Sequence, residues 1–130
     1  MADTFQDDLD HKIDSVCPGA SDRLDRIDEF PDSEGKAIVK ALLKQACESQ
    51  HVGHISSARE ALLRLPRSWL SRVLPDAIDE VVDLGDEWEY RRLVELLKEL
   101  HSELFDSYID YGISAGSGEI FEAATDLKGR

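Results

Sequence analysis

Apolar residues recur along this chain at steps of three and four, the spacing that lines one face of an α-helix. Phe5, Leu9, Ile13 and Val16 make a first such face, which Pro18-Gly19 brings to a stop. Ser21 is placed to cap a short helix carrying Leu24, Ile27 and Phe30, closed by Pro31. Asp32 or Ser33 opens a stronger helix with Ile38, Ala41, Leu42 and Gln45 on one face and Val39 and Leu43 beside it, and Gln50 to Ser56 reads as a connector. Ala58, Ala61, Leu62 and Leu65 then give the i, i+3, i+4, i+7 pattern of a buried stripe. After Pro66 the doublets Trp69-Leu70, Val73-Leu74, Ala77-Ile78 and Val81-Val82 repeat every four residues across Pro75, predicting a kink or a local break with coaxial continuation. Gly85 ends that run and Asp86 caps a helix whose face is Leu93, Leu96, Leu97 and Leu100. Ser102 caps a further one with Leu104, Phe105, Tyr108 and Ile109, and a glycine-bearing loop from Gly112 to Gly118 leads to a last helix with Ile120, Phe121, Ala124 and Leu127. Period-two alternation is nearly absent, so the chain is expected to be all-α, with seven or eight antiparallel-packed helices.

Three of these segments echo one another. Ser57-Ala58-Arg59-Glu60-Ala61-Leu62-Leu63-Arg64-Leu65 is answered by Tyr90-Arg91-Arg92-Leu93-Val94-Glu95-Leu96-Leu97 and by Phe121-Glu122-Ala123-Ala124-Thr125-Asp126-Leu127. Glu60, Glu95 and Asp126 stand 35 and 31 residues apart, a period typical of stacked helix pairs. From Ser57 to Leu127 the chain resembles HEAT-type helical repeats: an Arg-containing first helix, a doublet-patterned second helix and an acidic turn, Asp83-Leu84-Gly85-Asp86-Glu87, before the next first helix. It departs from that pattern at Asp86-Glu87-Trp88-Glu89, where a proline-containing turn is usual, and at Glu122, where the final helix lacks the Arg. The resemblance implies a single domain over 1–130, with 1–50 as an irregular helical cap and 51–130 as HEAT-like pairs. It also implies binding of another protein on one face of the stack.

Charge narrows the range of partners. The chain holds 28 acidic and 15 basic residues, a formal −13. The ends are each strongly acidic and the middle, with Arg59, Arg64, Arg67 and Arg72, is near balance. Nucleic acid is disfavoured, because binding it requires Lys and Arg to neutralise phosphates. A basic protein suits the field better, and a bacterial immunity or inhibitor protein that blocks a basic toxin is an alternative of a different class. No run approaches the ~18 apolar residues of a membrane span, and the acidic N-terminus lacks a basic-then-apolar signal. With only Cys17 and Cys47, there is no disulfide framework, and a cytoplasmic location is expected. The uncovered final helix also leaves a homo-oligomer open.

Candidate chemistry is sparse. Cys47, His51 and His54 have good zinc donors at near-helical spacing, but they match no closed zinc motif, and a small packed Cys beside solvated histidines is the simpler expectation. Gly112 to Gly118 lacks the Gly-Lys-Ser/Thr of a phosphate loop, and the acidic runs lack the alternation of a calcium loop. No nucleophile elbow is present, so neither catalysis nor a cofactor is expected. Among the aromatics Trp69, Trp88, Tyr90, Tyr108 and Tyr111, Trp69 falls on a core face. Trp88 and Tyr90, with Arg91 and Arg92, are expected to form a partly exposed contact patch, joined by Phe121 on the last helix.

Overall fold

The computed structural model describes residues 4–129, and among these the only regular structure is helical. Seven α-helices run in order: α1 (Thr4–Val16), α2 (Asp32–Glu48), α3 (Val52–Arg64), α4 (Arg67–Val81), α5 (Glu87–Glu99), α6 (Leu104–Ser114) and α7 (Gly118–Lys128). They form two compact units, Met1–Val81 and Val82–Arg130. The division falls after α4.

In the first unit α2 is the central helix, packed against α1, α3 and α4, with α1 also against α3. Its buried face is Ile38, Val39, Leu42, Leu43, Ala46 and Cys47, while Ala41 lies exposed. Gly35 permits the α2–α4 approach, because a Cβ there would sit 2.8 Å from Cζ2 of the buried Trp69. Lys40 of α2 and Glu80 of α4 add an ion pair at 2.6 Å.

The chain between α1 and α2 differs from expectation. Gly19 turns it with a φ of +82°, and Ala20–Asp22 and Leu24–Glu29 form 3-10 turns in place of a Ser21-capped α-helix. Ser21 does not cap because its groups are committed elsewhere: its N–H and Oγ–H both donate to the Asp14 carboxylate, at 3.0 and 2.8 Å. The Ser21 amide, followed by its hydroxyl, holds the Asp14 carboxyl below the usual range.

The connector expected over Gln50–Ser56 shrinks to three residues, 49–51. His51 supplies the cap, its Nδ1 accepting from the Gly53 amide at 3.2 Å, so α3 begins one residue later. Helix α4 runs unbroken through Pro75, with Trp69, Leu70, Val73, Leu74, Ala77 and Ile78 all buried. Proline lacks the N–H that would bond the Ser71 carbonyl, and Ser71 lies on an exposed stretch where water can serve that carbonyl.

In the second unit α5, α6 and α7 pack against one another around Tyr90, Val94, Ile109, Ala123, Ala124 and Leu127. Asp86 caps α5 as the sequence predicts, its Oδ1 accepting from the Glu89 amide at 3.0 Å. The N-cap position of α6 falls instead to Glu103, and Ser102, one residue earlier, accepts from the Leu104 amide through Oγ at 3.1 Å. Leu93, Leu96, Leu97 and Leu100 are all buried. Gly112, expected in a loop, lies inside α6, and the loop contracts to residues 115–117. Among the described residues no helix is long and apolar enough to cross a membrane.

Candidate interaction surface

Helix α5 distributes the predicted patch over different faces. Residues two apart on a helix project about 200° apart, so Trp88 and Tyr90 cannot share a surface. Trp88, in the first turn, is 40% exposed, and one turn on Arg92 lays its guanidinium carbon 3.9 Å from the ring centroid. Arg92 also bonds Glu95 at 3.1 Å, so this cation is held over the indole.

Tyr90 corrects the expectation of partial exposure. It is completely buried, and its hydroxyl donates to the Tyr108 carbonyl at 2.7 Å. Burial, with Tyr111 beside it, pushes its phenol above the usual value. Arg91 faces the seam between two echoed helices, bonding Glu87 on its own helix at 3.0 Å and Asp126 of α7 at 3.1 Å. Burial works against its charge, but these two carboxylates outweigh it and raise its pKa. Phe121 is half-buried on α7. Of the five residues, Trp88 and Arg92 therefore make a surface pair, while Tyr90 serves the core.

A second surface feature lies on the same unit. Leu84, Gly85, Tyr111, Ser114, Ala115 and Ile120 line an open, largely apolar groove of about 310 Å³. Tyr111 forms one wall and is 48% exposed, more than any other aromatic residue of the described chain. Asp83, Asp86, Asp110 and Glu119, each next in sequence to a lining residue, are exposed. In the sequence Tyr111 is one of five candidate anchor aromatics and is assigned to no site, because the groove it walls is assembled from α6, the start of α7 and the turn before α5.

The metal constellation is not assembled. Cys47 is wholly buried in the α2 face, whereas His51 and His54 pack around Phe5, one tilted and one edge-on, with ring centroids 4.5 and 4.8 Å away. Among the described residues no three His, Cys, Asp or Glu side chains are grouped to hold a metal ion. The other cysteine, Cys17, is also buried and donates to Glu34 Oε2 at 3.1 Å, and that bond, reinforced by burial, pushes its thiol up. A raised thiol is a poor nucleophile.

No family model matches the chain, and comparison with curated proteins and with solved structures gives no match.

Proposed function

We propose that this chain is a non-catalytic protein-interaction module, a small acidic HEAT-like helical protein that holds a basic partner on its second unit. The observation that carries this reading is the groove walled by half-exposed Tyr111. Its floor offers apolar contact through Leu84 and Ile120, and its surroundings are acidic: residues 82–130 carry twelve acidic and five basic side chains. An apolar anchor flanked by Lys or Arg meets both conditions, the anchor supplying affinity and the charges speeding encounter. In the same reading α5 and α7 are echoed helices of a HEAT-like pairing within the second unit, and the Arg91–Asp126 bond between them supports their lateral register.

The test is affinity capture with the full chain, followed by binding measurements on the partner so obtained. Tyr111→Ala is expected to weaken binding by at least about 2 kcal/mol, roughly thirtyfold. Raising the salt is expected to slow association. Full affinity in the Tyr111→Ala variant, with its helicity unchanged, would sink the proposal.

A further inference from the structure

A cleft of about 410 Å³ opens on the first unit; its lining residues are mostly charged or polar, although the surface they expose to it is largely apolar, and it shares none of them with the Tyr111 groove. Lys12 of α1, Ala41, Lys44, Gln45 and Glu48 of α2, and Ser49 and His54 line it. Gln45 is nine-tenths buried, and its amide is bonded on both sides. Its Nε2 donates to the His54 carbonyl at 2.8 Å and to Ser57 Oγ at 3.3 Å, while its Oε1 accepts from Lys12 Nζ at 3.1 Å. The amide therefore fixes the Lys12 ammonium at the cleft through one of its three N–H groups.

Charge pairing makes the cleft unusual for this chain. Acidic residues outnumber basic ones 28 to 15, and Lys36 and Lys40 of the same helix as Lys44 each bond a carboxylate. Among the described residues, neither Lys12 nor Lys44 forms an ion pair; Lys12 is bonded to a neutral amide instead. Two lysines from different helices thus line one concavity, with Glu48 as the sole carboxylate on its lining.

We propose that this cleft binds a phosphoryl group in its dianionic form. Lys12 and Lys44 donate charge-assisted hydrogen bonds to its oxygens, with the Ser49 hydroxyl and His54 on the wall beside them. A phosphoryl group presents several strong acceptor oxygens on one centre, so both lysines can bond it at once, which a ligand with a single acceptor atom cannot offer. A nucleic-acid backbone is excluded, because its charge extends far beyond the cleft over acidic surface.

The phosphoryl group has two possible sources, a small phosphate monoester or a phosphorylated side chain of a partner. NMR titration of the full chain at low ionic strength separates them, using glycerol 3-phosphate in one arm and a phosphoserine peptide in the other. Saturable shifts at the amides of Lys44, Glu48, Ser49 and His54 are expected in at least one arm, and none with sodium chloride at matched ionic strength. Similar affinity in both arms identifies the small monoester as sufficient; much tighter peptide binding identifies a phosphorylated partner. Lys44→Gln, an exposed change that leaves the core intact, is expected to weaken binding about tenfold. Shifts that never saturate, that sodium chloride reproduces, or that persist unchanged in a Lys12→Gln/Lys44→Gln variant would overturn the proposal.

Discussion

Gly112 has no room for a side chain. A Cβ there would overlap the Tyr90 hydroxyl oxygen and come within 2.6 Å of Ala124 Cβ. Neither neighbour can yield: the Tyr90 ring is fully buried and hydrogen-bonded to Tyr108, and Ala124 Cβ sits directly on the backbone of α7. Replacing a helical glycine by alanine ordinarily stabilises by about 1 kcal/mol, but overpacking costs about 1–3, so Gly112→Ala is expected to destabilise by up to about 2 kcal/mol in urea unfolding. Tyr90→Phe alone is expected to cost about 1 kcal/mol through its lost hydrogen bond. Combined, the two changes should cost less than their sum, because the phenyl ring vacates the space that the new methyl needs. Strict additivity would show that the hydroxyl is not what meets the methyl. None of this is legible in sequence, where Gly112 heads an apparent run of loop glycines and Tyr90 sits beside two arginines. Both assignments fail for one reason: a residue's neighbours along the chain are not its neighbours across a helix interface.

The helices themselves are legible, and so is chain-local chemistry at their starts. Asp86 caps α5 through the amide three residues ahead, and Ser102 reaches the amide two ahead although the cap position of α6 is Glu103, contacts that the sequence contains in full. Ser21 fails as a cap because Asp14, seven residues back on α1, claims it. His51 succeeds as one although histidine is a poor guide to helix starts, since Phe5 of α1 packs against its ring. Pro75 is the informative case in α4. The apolar doublets on either side keep their phase, and their burial holds the helix together through a residue that costs about 3 kcal/mol in a helix interior. Pro75→Ala restores the missing N–H, and the helix is already built to accept it. An increase in stability of about 1–3 kcal/mol is expected, read as a higher urea midpoint with unchanged slope. A decrease would mean that the proline ring, half-buried on α4, contributes packing that outweighs the lost hydrogen bond.

At the scale of the whole molecule, composition and periodicity yield the all-helical class, but not the division of the chain into two units after Val81. The echoed segments span that division, with α3 in one unit and α5 and α7 in the other, so similarity of sequence does not track assignment to a core. Net charge does act on the chain as a whole. A formal −13 repels itself in the compact state, and the ion pairs seen here are exposed or half-exposed and individually weak. Screening should therefore relieve more repulsion than it removes attraction. The melting temperature is expected to rise by a few degrees between 10 and 150 mM sodium chloride, and a fall would show that the pairs dominate. Gln45 has an effect of the opposite kind, local in origin and wide in reach. Apolar faces tolerate sliding, because one methyl group is much like another. A buried amide joined to α1 through Lys12 and to α3 through His54 and Ser57 does not. Shifting either helix by a turn would strand polar atoms away from water, so this one side chain acts as an alignment key, selecting a single arrangement of three helices from the many that hydrophobic contact alone would accept.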